Sequence, residues 1–152
     1  MSTCLLNLGC GLDIRDGWVN HDISQHDKRI AVVHNLNVRP WPWKPSTFDR
    51  VDAISVFEHL EIDLIKVMDE CWRILKGSGA LHIKYPLLTS PFVRDDPTHR
   101  WFWSEKVLDF VIAGTKYEQG CPYYTKYKWN LMQRTVGPKN RNCWAQLSPR
   151  GK

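Results

Sequence analysis

Four places in this sequence carry residue types that could do chemistry. The first is Gly9-Cys10-Gly11, which ends the apolar run Cys4-Leu5-Leu6-Asn7-Leu8. Two glycines after a buried strand let a ligand approach the backbone closely, because neither has a Cβ. A G-x-G-x-x-G turn would need glycine where Ile14 stands, and it would set Asp13 beside a pyrophosphate, where an anion is unwelcome. The pattern G-x-x-x-x-G-K-[ST] is absent, which excludes a P-loop. A ligand without phosphates fits this turn better. The second place is Asp22, whose carboxylate could hold a ligand or cap a turn. The third is Glu58-His59, where a helix begins. There Glu58 could complement the positive end of the helix, and His59 has the chemistry of a base near neutral pH. The fourth is His99, in the polar stretch Asp96-Pro97-Thr98-His99-Arg100, as a base or substrate contact or as a residue that fixes the loop. Trp41 and Trp43 read as packing rather than as a substrate wall. The six histidines include no H-E-x-x-H, and the five cysteines no C-x-x-C, so no metal site is expected.

Short apolar runs mixed with helical spacing must position these residues, which predicts an α/β sheet. Strands are expected at Cys4–Leu8, Trp18–Asp22, Ile30–His34, Val51–Val56 and Ala80–Tyr85. Between 35 and 47, Pro40, Pro42 and Pro45 predict loop. Leu64, Val67, Met68, Cys71, Ile74 and Leu75 recur at helical spacing, and Lys76-Gly77 reads as the C-terminal end of that helix. Ser104 is a suitable N-cap for a helix to about Ala113, with Gly114 ending it. Further strands are expected between Tyr117 and Arg134, Gly137-Pro138 breaks the pattern, and Ser148–Lys152 reads as frayed. One feature resists this picture. Parallel strands need a crossover of about a dozen residues or more, yet 11–17 and 23–29 hold at most a turn or two of helix. Either the fold is trimmed there or one of the strand assignments is wrong.

The 152 residues suit a single domain spanning 1–152, with 43% hydrophobic and 24% charged residues, an ordinary globular balance. No apolar run approaches the roughly 18 residues of a membrane span. The first basic residue is Arg15, and an odd set of cysteines suits a reducing compartment, so a cytoplasmic protein with no membrane partner is expected. Charge is uneven: residues 116–152 hold eight Lys/Arg against Glu118 alone, a net of +7, leaving −2 on residues 1–115. Basic residues interleaved with Tyr123, Tyr124, Tyr127 and Trp129 could bind nucleic acid through phosphate contacts and stacking. The more ordinary reading is a strand pair with aromatics on one face and solvated lysines on the other.

The order of motifs resembles that of class I S-adenosylmethionine-dependent methyltransferases, in particular a small bacterial and phage-type branch of the methyltransferase type 11 group. Leu6-Asn7-Leu8-Gly9-Cys10-Gly11 is similar to the first motif, and Gly17-Trp18-Val19-Asn20-His21-Asp22 to a "GW-x-N-x-D" segment. Phe48-Asp49-Arg50-Val51 through Glu58-His59-Leu60, Arg73–Leu81 and Asp96–Arg100 resemble its "FD-x-V … EHL", "R-x-LKPGG-x-L" and "DPTH" segments. The resemblance implies a minimal Rossmann-like sheet with shortened or missing helices between the first strands. It implies S-adenosyl-L-methionine as cofactor, held by Gly9, Cys10 and Gly11 at its methionyl and ribose parts. Asp22 would hold the ribose diol, Asn35 and Leu36 the adenine, and Val56 and Phe57 would border the reactive methyl. His99, His59 and Glu58 are then the candidates for activating an acceptor. Asn7 and Asp13 depart from the family pattern, where an acid and a third glycine are common. No D/N-P-P-Y/F follows the fourth strand, which disfavours nucleobase amino groups and leaves a small-molecule or sugar-type acceptor. The alternative is a non-catalytic relative that binds nucleic acid through 116–152. A partner subunit, as in a homodimer, would account for the short crossovers.

Overall fold

The computed structural model describes residues 3–152. Seven strands form one mixed sheet: β1 (Leu5–Leu8), β2 (Val19–Asp22), β3 (Ile30–Val33), β4 (Phe48–Ile54), β5 (Leu75–Pro86), β6 (Lys128–Val136) and β7 (Asn142–Arg150). Their order is β3-β2-β1-β4-β5-β7-β6. The first five strands run parallel, and β7 lies antiparallel between β5 and β6. Helix α1 (Leu64–Ile74) makes the connection from β4 to β5. Two single-turn helices, α2 (Phe92–Asp95) and α3 (Lys116–Gly120), lie in the long excursion between β5 and β6.

Alternation along the strands gives the sheet two unlike faces. On one, Leu6, Val51, Leu81 and Leu147 stand in register, as do Leu8, Ala53, Ile83 and Ala145. All are buried, in one core with Val67, Met68, Cys71 and Ile74 of α1. The opposite face carries a polar row in register: Asn20, Asn7, Asp52, His82, Gln146 and Gln133. Parallel sheets normally have both faces covered by crossover helices. Here residues 9–18 and 23–29 contain no helix, so the strand assignments were right and it is the fold that is trimmed.

Hydrogen bonds do the work of the missing helix. Asn20 Oδ1 accepts from the Arg15 amide (3.0 Å) and from Asn7 Nδ2 (3.2 Å), while its own Nδ2 donates to the Arg15 carbonyl (2.9 Å). Asn7 Nδ2 also donates to the Asp13 carbonyl at 2.6 Å. The Arg15 guanidinium reaches Asp52 at 2.6 Å and Asp13 at 2.6 Å, which clamps the loop onto the sheet.

Three sequence expectations need correction. Gly77 does not cap α1: the chain passes straight into β5 at Leu75, and the Lys152 ammonium donates to the carbonyls of Trp72 (2.5 Å), Arg73 (2.8 Å) and Leu75. Gly77 is small for another reason, since a Cβ there would lie 2.7 Å from the Lys152 carbonyl oxygen. The segment after Ser104 forms only a 3-10 turn at Val107–Phe110, and the helical turn comes after Gly114, capped by Thr115 accepting from the Glu118 amide. Ser148–Arg150 is not frayed, because it completes β7 against Lys128–Asn130 of β6.

Candidate functional site

The strand order reverses at β1, whose neighbours β2 and β4 lie on either side. Open α/β sheets bind ligands in the crevice at the carboxyl ends of such strands. Here that position holds the glycine turn, which is built against the end of β2. The amides of Gly9, Cys10 and Gly11 donate in turn to His21 Nδ1 (3.2 Å), the His21 carbonyl (2.8 Å) and Asp22 Oδ2 (2.8 Å). Gly9 and Gly11 both have positive φ, +63° and +50°, where a side chain is strained. A Cβ on Gly9 would also sit 2.8 Å from both methyl groups of Val56, so Gly9 is small for Val56, whereas the space beside Gly11 is open.

His21 fixes the turn from below. Its Nδ1 accepts from Gly9, so its proton resides on Nε2, which donates to the His34 carbonyl at 3.0 Å. Burial pushes its pKa below the ordinary value, which keeps the neutral form this arrangement requires. Asp22 accepts one backbone N–H on each oxygen, from Gly11 and from Ile23 (both 2.8 Å). A carboxylate offers about four lone-pair sites, so two remain for a diol.

These elements enclose a cavity of about 300 Å³. Of the residues expected at a cofactor site, Gly9, Asp22, Asn35, Leu36 and Val56 line it, and so does His59. Cys10, Gly11 and Phe57 do not: Cys10 is buried behind the turn, Gly11 acts through its amide on Asp22, and the Phe57 ring belongs to the core. Sequence reasoning missed His21, Asn37 and Ser55 in this lining. His21 lay within the quoted Gly17–Asp22 segment. Asn37 holds the loop by accepting from the amides of Glu61 (2.7 Å) and Ile62 (3.3 Å), and Ser55 turns the end of β4 with a left-handed φ of +55°. Neither leaves a local pattern in the sequence. The cavity suits an S-adenosyl group: it offers an acid with spare acceptors, an amide at Asn35 and apolar walls at Leu36 and Val56.

Glu58, His59 and His99 meet beside it. The loop after β5 is pinned onto the turn at Phe57–His59 (a 3-10 turn) by the Arg100 amide donating to the Glu58 carbonyl (2.7 Å) and by Trp101 Nε1 donating to Leu60 (2.7 Å). The rings of His59 and His99 then lie 4.7 Å apart. The Glu58 carboxyl is buried with no hydrogen-bond partner on either oxygen among the described residues, and burial pushes its pKa up to about 7. Burial also lowers the pKa of His59, with His99 adding to the effect.

A larger cleft of about 680 Å³ lies on the polar face, against His82, Gln146, Trp144 and Arg50. It is wide and sits away from the strand ends, over the region a crossover helix would cover. The basic segment is largely tied into the structure. Trp129 is buried, Tyr127 packs on Trp72, Tyr124 stacks on Phe110, and Lys128 and Arg134 pair with Glu118 and Asp109.

Residues 4–83 match the family model described as a methyltransferase domain, more than half of the chain. The chain belongs to the methyltransferase-domain family. It is thus a methyltransferase of the S-adenosylmethionine-dependent class, and its sheet is the Rossmann-like sheet of that class with two crossover helices removed. No curated protein sequence matches it. Its fold is shared with a Pyrococcus horikoshii protein at 19% identity, covering 99% of this chain and 84% of that one, with a TM-score of 0.63. A SAM-dependent methyltransferase from Archaeoglobus fulgidus matches at 16% identity, with 97% and 86% coverage and a TM-score of 0.61. The [4+2]-cyclase SpnF matches at 13% identity, with 97% and 74% coverage and a TM-score of 0.62. At such identities the likeness is one of fold, and a cyclase among the matches shows how far chemistry varies on it. No helix among the described residues is long and apolar enough to cross a membrane.

Proposed function

We propose that this methyltransferase holds S-adenosylmethionine in the cavity at the ends of β1, β2 and β4 and methylates a small-molecule or sugar-type acceptor bound beside Glu58, His59 and His99. The observation that carries this reading is the convergence of Gly9, Asp22, Asn35, Leu36 and Val56 on one cavity that His59 also lines. When bound, the cofactor supplies a methyl group on a sulfonium, whose departure drives the transfer. The chain's part is then to orient the reactants and exclude water. In this reading Asp22 holds the ribose diol with its spare lone pairs while its amide bonds keep the glycine turn in place. Leu36 and Val56 keep the cavity wall apolar. The Glu58–His59–His99 cluster activates the acceptor, and His59 spans the two halves of the site. Ser55-Val56-Phe57-Glu58 stands where enzymes of this fold that methylate nucleobase amino groups carry D/N-P-P-Y/F, which supports a different acceptor. The reading includes a cytoplasmic setting, from the unpatterned odd set of cysteines.

Calorimetric titration with S-adenosylmethionine and with its demethylated product, against NAD as control, tests it. Micromolar binding of the first two that is lost in Asp22→Ala is expected. Absence of binding at millimolar ligand, or equal binding by Asp22→Ala, would overturn the assignment.

A further inference from the structure

Glu58, His59 and His99 share a property that acceptor activation alone does not require: their outward lone pairs accept no hydrogen bond among the described residues. Glu58 is 1% exposed, and neither carboxylate oxygen accepts a hydrogen bond. Burying an ionised carboxylate in this way is costly, and a cation beside it would relieve that cost as protonation does.

The two imidazoles are held with one nitrogen occupied and the other free. His99 Nδ1 lies 3.0 Å from the Val93 carbonyl, which only accepts, so Nδ1 carries the proton. His59 Nδ1 lies 2.8 Å from Thr98 Oγ1. That hydroxyl spends its one hydrogen on Asp96 Oδ1 at 2.6 Å, so it accepts from His59. In the neutral form, Nε2 of each ring is then left with an uncommitted lone pair. One donor atom from each of the three residues lies within 4.8 Å of the other two.

We propose that Glu58, His59 and His99 bind a divalent transition-metal cation of the Zn²⁺ type. Two imidazole nitrogens and one carboxylate are the donor set of catalytic zinc and mononuclear iron sites, which keep a coordination position open. Mg²⁺ and Ca²⁺, which take oxygen ligands, suit it poorly. The outer partners are those a metal site uses, because ligating histidines donate their second N–H to a carbonyl, carboxylate or water, and that partner fixes the tautomer. Val93 and the Thr98–Asp96 pair fill this role here. Metal–ligand bonds of about 2.1 Å require the three donors to draw closer together. His59 ends the 3-10 turn at Phe57–His59 and His99 lies on the loop after β5, and small shifts of these two short segments, together with the bonds that hold the rings, supply that movement. A second trio, Cys10, Asp22 and His26, lacks this signature. Each Asp22 oxygen already accepts from an amide, and both ring nitrogens of His26 have partners, Nε2 at the Gly11 carbonyl (2.7 Å) and Nδ1 at the Ser24 hydroxyl (3.3 Å).

The proposal rests on the preceding reading only for what the cation would do, namely polarise an acceptor oxygen presented from the cavity that His59 lines. Cation binding itself needs neither cofactor nor acceptor, so the two readings can fail separately.

The test is calorimetric titration of the chelator-stripped full chain with Zn²⁺, with Mg²⁺ as control, together with absorption spectra of the Co²⁺ form. One Zn²⁺ per chain at micromolar or tighter affinity is expected, with little Mg²⁺ binding. Affinity should fall at least about tenfold, the lower end of what losing even an outer partner causes, in Glu58→Gln and in His99→Gln. It should be unchanged in His26→Ala. The Co²⁺ form should show visible ligand-field bands without a near-ultraviolet thiolate band. If His99→Gln fails to give the parent melting curve, His59→Asn takes its place. No Zn²⁺ binding up to millimolar would overturn the proposal and leave His99 Nε2 with only the Asp96 carboxylate near it, 3.7 Å away. So would binding that survives Glu58→Gln and His99→Gln but is lost in His26→Ala, which would mark a thiol site.

Discussion

At Gly9 two demands coincide, a φ of +63° and the Val56 methyl groups 2.8 Å from any Cβ. Gly9→Ala should therefore destabilise the fold by about 2–4 kcal/mol, combining left-handed strain with overpacking. Gly11→Ala should lose only about 1 kcal/mol, since nothing fills the space beside it. Denaturant unfolding of both variants checks this, and Val56→Ala should recover part of the loss at Gly9 but none at Gly11. His21 carries the pH dependence of the turn. Its folded pKa lies below the ordinary 6.5, so between those two values the unfolded chain binds more protons and stability falls as pH drops below 6.5. Protonation would also remove the Nδ1 lone pair that the Gly9 amide uses. Unfolding curves at pH 7.5 and 5.5 should show a smaller acid loss in His21→Asn than in the parent. A parent whose loss equals the variant's would remove His21 from this role. The glycine turn and Asp22 were legible from residue types alone. That His21 holds the turn was not, because one imidazole in a short strand looks like any other.

Among the elements, those with periodic apolar residues were legible: the first five strands and α1 stand close to where the pattern put them. What failed was capping. A glycine near the end of a helical pattern looks like a C-cap, but the carbonyls at the end of α1 are held by the Ser46 and Thr47 amides and by Lys152, 77 residues beyond Leu75, which comes near only after folding brings the hairpin β6–β7 round. Lys152→Met should lower stability by about 1–2 kcal/mol, the value of charge-assisted bonds at a helix C-terminus. Denaturant titration checks this, and a loss under a few tenths would contradict it. The loop at 9–18 poses the same problem, since no sequence pattern announces that asparagines will replace a helix. Asn20→Leu takes the acceptor from the Arg15 amide, the shorter of two donors from the Arg15 carbonyl, and one of the two acceptors of Asn7 Nδ2. It should lower stability by about 2–3 kcal/mol and speed amide exchange over residues 10–18 before the sheet itself opens.

At the scale of the whole molecule, trimming two crossovers leaves one sheet face polar while α1 and the loops cover the other. The inner part of that face satisfies itself, through Asn7, Asn20 and the Arg15 and Arg50 contacts to Asp52. These groups need no second subunit to be paired. The charge asymmetry was legible in the sequence. Its meaning was less so, because the tail's aromatics and several of its cations turn inward only once β6 and β7 join the sheet. Bringing His99 to Glu58 and His59 likewise depends on a loop returning across the ends of β4 and β5, which no local spacing encodes. Of the clefts formed by the described residues, a wide one lies on the polar face and a smaller one at the strand ends, and of these two it is the smaller that has the glycine turn, Asp22 and His59 around it. Amide chemical shifts followed through a titration with S-adenosylhomocysteine choose between them most directly. The largest changes should fall at Gly11, Ile23, Leu36 and Val56. Changes centred on His82, Trp144 and Gln146, or none at millimolar ligand, would contradict the placement of the cofactor.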